Sequence, residues 1–167
     1  MTGRRAGRWR ALLVLCLAPL GGTALADASP ADFPVQVWIN PGIYAIHFDR
    51  GKNLRDDNIG LGAEVLLARD HGLMAGTFIN SNRERSRYGA YLWRPLHWQL
   101  AGLDVSAGIA AGAFDGYPNY RNGGWFAAAM PLLAVEGKRF GVNFGIVPTI
   151  ANRLDGAIAI QVKMRVW

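Results

Sequence analysis

Eight segments of this chain alternate apolar with polar or small side chains at a period of two, which marks strands whose two faces meet unlike surroundings. Ile158, Ile160, Val162, Met164 and Val166 stand against Ala157, Ala159, Gln161, Lys163 and Arg165. Ile59, Leu61, Ala63, Val65 and Leu67 likewise stand against Gly60, Gly62, Glu64 and Leu66. The segments fall at roughly 38–49, 58–68, 73–80, 88–98, 103–113, 125–136, 140–150 and 156–167. One face is apolar throughout, and the other mixes Gly and Ala with Glu64, Arg94, Asp104, Lys163 and Arg165. Charges crowded among small residues suit a lumen better than a solvated surface. The connections at 69–72, 99–102 and 137–139 are tight, whereas 50–57, 81–87 and 114–124 are longer and polar. An even strand number with short turns at one end and longer loops at the other predicts an all-β fold: an eight-stranded antiparallel up-and-down transmembrane β-barrel over 38–167. A soluble eight-stranded barrel of the lipocalin kind shares the alternation and is the alternative.

The start of the chain carries an export signature. Arg4, Arg5, Arg8 and Arg10 precede an apolar run from Ala11 to Leu20, and Ala24-Leu25-Ala26 matches an A-x-A cleavage site, so 1–26 is predicted to be a signal peptide. Residues 27–37 then form a short periplasmic N-terminal segment. The precursor's +6 charge comes largely from that signal: without its four arginines, 14 basic residues face 12 acidic ones, a balance of +2. Nucleic acid is therefore not an expected partner. Cys16, the single cysteine, lies in the apolar run and goes with it, which removes disulfides from the mature chain.

If the N-terminus is periplasmic, Arg94, Asp104, Glu136, Lys163 and Arg165 gather in the periplasmic half of the lumen, with Glu64 near the middle. The outer half is left with small and apolar groups such as Gly60, Gly62, Phe78, Ala110, Met130, Ala157 and Ala159. A charged floor below an apolar upper half predicts a pocket suited to a hydrocarbon chain. Proline removes a ladder donor, so Pro131 and Pro148, in neighbouring strands, predict a local opening of the wall, while Pro41 reads as a strand start. His47 faces the lumen near the outer end of the first strand, with Ala45 and Asp49, and Asn80 and Ser81 end the third strand on the same side. An imidazole beside a hydroxyl is the minimum for activating an oxygen or moving a proton in acyl transfer. His71 and His97 lack metal-ligand spacing, and no P-loop, dinucleotide fingerprint or G-x-S-x-G elbow is present, so no metal or cofactor is expected.

Several short motifs then line up in one order: Tyr44-Ala-Ile-His-Phe-Asp49, Phe78-Ile-Asn-Ser81, Trp93-Arg-Pro-Leu96, Met130-Pro-Leu-Leu-Ala-Val135 and Ile146-Val-Pro-Thr149. In these the chain resembles the lipid A palmitoyltransferase family, PagP, from about Tyr44 onward. The resemblance implies an acyltransferase of the Gram-negative outer membrane, moving a palmitoyl or similar chain from a phospholipid donor to lipid A of lipopolysaccharide, with resistance to cationic antimicrobial peptides as the outcome. It implies His47 as general base with Ser81 as its polar partner, Asn80 standing where the family has Asp, and Pro131 and Pro148 at lateral gates. On that reading Asn80→Asp should preserve or raise activity. The family's depth-limiting glycine falls near Gly89, but the spacing back from Trp93 points to Tyr88, where a tyrosine would shorten the pocket. A monomer is expected. The alternatives are a barrel hydrolase that removes acyl chains from lipid A and a non-enzymatic structural or adhesive barrel.

Overall fold

A computed structural model describes residues 33–150 and 153–167. The predicted signal peptide lies outside them, as do residues 27–32 of the N-terminal segment. Eight strands follow one another: β1 (Gln36–His47), β2 (Asp57–Leu66), β3 (His71–Ile79), β4 (Arg85–Leu100), β5 (Leu103–Phe114), β6 (Phe126–Glu136), β7 (Phe140–Val147) and β8 (Ala157–Arg165). Each pairs antiparallel with its sequence neighbours, and β8 returns to β1, so the barrel is closed. β1 takes in Gln36 and Val37, two residues that the sequence reading left to the N-terminal segment. β4 starts three residues earlier than expected, because the turn after β3 closes by Glu84 and pairing resumes at Ile79 with Arg85. Arg85 and Arg87 are therefore strand residues, not loop residues.

The alternation resolves with the apolar face outward. Ile59, Leu61, Leu73, Ile109, Ile146 and Val162 are exposed, while Glu64, Leu66, Leu92, Arg94, Asn143 and Lys163 are buried inside. Exposed aromatic residues mark both ends of this exterior: Tyr44, Phe48 and Trp125 toward the long loops, and Trp98, Phe140 and Trp167 toward the tight turns.

The lumen is divided. Toward the turns, Lys163 Nζ donates to Glu64 at 2.7 Å and to Glu136 at 2.6 Å, and Arg94 donates to Glu136 at 2.9 Å. Asn143 donates to the other oxygen of Glu64 at 2.7 Å, which ties β7 into the network. Two of the charges expected there stand apart: Asp104 is exposed and accepts from Gln99, and Arg165 lies 5.9 Å over the Trp38 ring. Trp38, Leu66, Leu92, Ala110 and Leu132 pack into an apolar core beside the ionic network. This core and the ionic network lie between the upper lumen and a recess toward the turns that is lined by Trp38, Leu66, Arg94 and Glu136.

Pro41 is not a strand start. It lies inside β1, beside Gly42, and the registers on both sides shift there: against β2 between Asn40 and Gly42, and against β8 between Ile39 and Tyr44. Trp38 and Asn40 face inward before the irregularity, and Ala45 and His47 after it, so the strand changes phase. A one-residue change of phase exchanges the faces of everything that follows. Gly42 has φ +123°, and a Cβ there would come within 2.2 Å of the Asn58 carbonyl, so both conformation and space require glycine. Pro95 marks a second irregularity, with the β4–β5 register shifting between Trp93 and Leu96.

Pro131 and Pro148 stand where the wall is least closed. The β6–β7 ladder runs only from Leu132 opposite Gly145 to Glu136 opposite Gly141. Residues 126–131 pair with β5 but not with β7.

Candidate functional site

His47 is the last residue of β1 and is 6% exposed. Its Nδ1 lies 2.8 Å from Asp56 Oδ1 and its Nε2 lies 2.9 Å from Ser81 Oγ. A carboxylate only accepts, so in the neutral imidazole the proton sits on Nδ1 and is donated to Asp56. Nε2 is left as the acceptor for the Ser81 hydroxyl proton. This is a carboxylate, imidazole and hydroxyl relay, assembled at the loop end of the lumen.

Backbone bonds hold the three groups together. Ala45 donates to the Asp56 carbonyl at 2.8 Å, which folds the end of the β1–β2 loop back onto β1. Arg55 donates to the Ser81 carbonyl at 3.0 Å and ties that loop to the β3–β4 turn. Arg50 approaches the outer oxygen of Asp56 at 3.7 Å, an exposed contact of little energetic weight. The buried amide of Asn58 completes the cluster, its Nδ2 3.4 Å from Ser81 Oγ.

His47 and Ser81, both expected at the site from the sequence, are in contact. Asn80 does something else. Its Nδ2 donates to Ser86 Oγ at 3.0 Å and to the Gly116 carbonyl at 2.8 Å, and its Oδ1 accepts from the backbone of Asn82 at 2.9 Å and of Glu84 at 3.1 Å. None of its hydrogen bonds reaches His47. Asn80 is completely buried and shapes the turn that carries Ser81, with Arg83 at φ 66° closing it. The carboxylate beside the imidazole belongs to Asp56, which the sequence reading missed. The signal was present: Asp56 and Asn58 continue the even, lumen-facing series Gly60, Gly62 and Glu64 backward along the chain.

Below the relay lies a cavity of about 980 Å³ counted with its open mouth, lined by Ala90, Ala110, Phe78, Met74, Met130 and Leu132 among others. His47, Asn58 and Ser81 stand at its head, and Asn143 and Gln161 also line it. Met130 and Gly145, on the two sides of the β6–β7 gap, are lining residues as well. Five of the small or apolar residues expected to line it do so: Phe78, Ala110, Met130, Ala157 and Ala159. Gly62 does not, because the Tyr88 ring fills the space in front of it; a Cβ on Gly62 would meet the Tyr88 hydroxyl at 2.2 Å. Tyr88 is buried in the lumen and lines the cavity. Gly89 faces the exterior with open space before it, so of the two candidates for limiting the pocket only Tyr88 is placed to do so. Pro131 and Pro148 face outward and are exposed.

A run of rings covers one side of the cavity: Phe78 with Tyr88 and Tyr88 with Phe114, both at 5.9 Å, then Phe114 with Phe126 at 6.2 Å. Tyr117, in the loop after β5, meets Phe126 edge-on at 5.7 Å, and burial pushes its phenol up to about 12. Among the described residues no group of three or more His, Cys, Asp and Glu side chains converges as metal ligands would. Instead His97 bonds Asp70 at 2.8 Å, and His71 bonds Tyr91 at 2.6 Å. No protein-family model matches this chain, and no curated protein matches it.

Proposed function

We propose that this protein is an outer-membrane acyltransferase that moves a fatty acyl chain from a phospholipid to a hydroxyl group of lipid A. The observation that carries the proposal is the Asp56–His47–Ser81 relay at the head of an apolar cavity, inside a barrel with an apolar exterior. Proteins in water rarely expose contiguous apolar patches beyond roughly a few hundred Å². An apolar wall flanked by aromatic residues at both ends matches a bilayer's hydrocarbon layer and its two interfaces. The long loops, and with them the relay, then face the outside of the cell.

The cavity accepts an acyl chain, and its head leaves the ester carbonyl beside Ser81. His47 takes up a proton at Nε2 as an oxygen attacks the carbonyl, and the Asp56 carboxylate stabilises the imidazolium that results. The unpaired stretch of β6 beside β7 gives a lipid tail a lateral way toward the cavity from the bilayer. Tyr88 limits how far the chain descends.

The same relay would serve hydrolysis if water were the acceptor, and this second reading is favoured by the geometry of Asp56, His47 and Ser81 alone. One experiment separates the two. Purified protein in detergent is given phosphatidylethanolamine and lipid A, and the products are followed by mass spectrometry. Acyl transfer adds one acyl mass to lipid A, and both His47→Ala and Ser81→Ala abolish it while the barrel stays folded. Release of free fatty acid with no acylated lipid A would establish the hydrolase. No product from properly folded protein would remove both.

A further inference from the structure

Asn58 stands beside Ser81 at the head of the cavity, with chemistry the relay leaves unused. It is the second residue of β2, 4% exposed, with its Nδ2 3.4 Å from Ser81 Oγ and its Oδ1 buried without a partner. Leaving a buried amide oxygen unpaired costs about 1–3 kcal/mol, so an asparagine kept at such a place calls for a reason other than stability. The proton inventory fixes which end of the amide faces Ser81. Asp56 accepts from His47 Nδ1, Nε2 accepts the hydroxyl proton, and Ser81 Oγ can then only accept from Asn58. The amide therefore presents an N–H, not a carbonyl, to the space beside the hydroxyl oxygen.

We infer that Asn58 is a catalytic residue: its Nδ2–H stabilises the oxyanion formed when Ser81 attacks the ester carbonyl, which makes Ser81 the nucleophile of a two-step transfer through an acyl-serine. This deepens, and rests on, the acyl-transfer reading of the same site. A donor whose hydrogen bond to the attacking oxygen is long, 3.4 Å, is within reach of the carbonyl oxygen once the new bond has formed, so its contact strengthens as charge develops.

The steps balance. Ser81 Oγ bonds to the ester carbonyl carbon as its proton passes to His47 Nε2, and the carbonyl electron pair moves onto the oxygen facing Asn58. The tetrahedral species collapses, the bond to the glycerol oxygen breaks, and the leaving lysophospholipid alkoxide takes the proton from His47. The acceptor hydroxyl then gives its proton to Nε2 and attacks the acyl-serine. A second oxyanion forms against Asn58, and Ser81 leaves with the proton returned. No other co-reactant is needed.

The test uses the full mature chain folded in detergent, as wild type, Asn58→Ala and Asn58→Asp, with folding checked by circular dichroism and thermal melting. Acyl transfer by Asn58→Ala is expected to fall by about 10²–10³-fold in kcat with KM little changed. Asn58→Asp should fall at least as far, since its carboxylate repels the oxyanion. Two inhibitors separate stabilisation from mere positioning: a long-chain trifluoromethyl ketone, which adds Ser81 to give an oxyanion, and the matching alkyl ether, which cannot. In Asn58→Ala the ketone should weaken by the same factor as kcat while the ether binds as before, and wild type quenched during turnover should carry an acyl mass on Ser81. Full kcat in Asn58→Ala, or equal weakening of ketone and ether, overturns the inference while acyl transfer stands. If wild type only hydrolyses simple esters, yet with the same Asn58 dependence, the acyl-transfer reading falls and Asn58 keeps its role. Wild type that neither turns over an ester nor labels Ser81 with a fluorophosphonate overturns both.

Discussion

At the scale of single residues, the resemblance and the geometry disagree about Asn80. All four hydrogen-bonding positions of its amide are used, two of them as donors to Ser86 and to the Gly116 carbonyl. Aspartate is isosteric but cannot donate when ionised, and its carboxylate would face that carbonyl. Asn80→Asp is therefore expected to destabilise the loop end by about 1–3 kcal/mol for each buried bond lost. It should also lower activity by displacing Ser81, the reverse of what the family position suggests. Melting temperature and acyl transfer, measured side by side, check this. Asp56→Asn is the complementary change. It replaces a carboxylate that can only accept with an uncharged amide that can also donate, so the His47 tautomer is no longer fixed, and activity should drop by about a hundredfold or more with the melting temperature little altered. Tyr117 gives a pH signature. Its folded value, about 12, exceeds that of an unfolded tyrosine, about 10. The stability it lends is complete below pH 10 and is lost as pH climbs through 12, which denaturant unfolding followed across that window would detect. His47 and Ser81 were legible in the sequence because the ends of the first and third strands fall at one rim and His47 is in step with Ala45. The even position of Asp56 was legible too, but its contact with the imidazole was not, because it forms only after the β1–β2 loop folds back through the Ala45 and Arg55 backbone bonds.

At the scale of strands, β1 depends on its irregularity. Without the irregularity at Pro41 and Gly42, a strand in phase with Trp38 and Asn40 would turn His47 to the exterior. Gly42→Val sets a β-branched residue at φ +123° and drives its Cβ into the Asn58 carbonyl. The expected result is a loss of about 1–3 kcal/mol and of nearly all activity, since both Asn58 and His47 shift. Deleting Gly42 outright is the revealing comparison. It restores simple alternation from Asn40 onward with His47 still inward, so the deletion should retain more activity than the valine variant. A reversed order in the transfer assay would show that the phase change does not set the position of His47. The eight strands were readable from their period of two, but this feature was not, because a proline near the beginning of an apolar run looks the same as a strand start. The early beginning of β4 escaped for a related reason: Arg85 and Arg87 read as loop by composition, and only the turn held by Asn80 places them in the ladder.

For the molecule as a whole, the division of the lumen into an ionic half and an apolar half was visible in the charges, whereas its Trp38 and Leu92 core was not. Those side chains alternate with the small ones and carry no charge to mark them as inward. The ionic network is balanced, with Lys163 and Arg94 against Glu64 and Glu136. Lys163→Met leaves two buried carboxylates to one guanidinium and should cost about 3–5 kcal/mol, read as a lower urea midpoint in detergent. Lys163→Met combined with Glu64→Gln should recover much of that loss. The plug has an electrical consequence too. If the barrel sits in a bilayer as proposed, a neutral ionic cluster and packed Trp38, Leu66 and Leu92 across its lumen should make it an insulator, despite its open upper mouth. Single-channel recordings should show no steady current. On the proposed mechanism, protons exchanged by His47 leave through the mouth by which they came, so turnover should be indifferent to any voltage across the membrane.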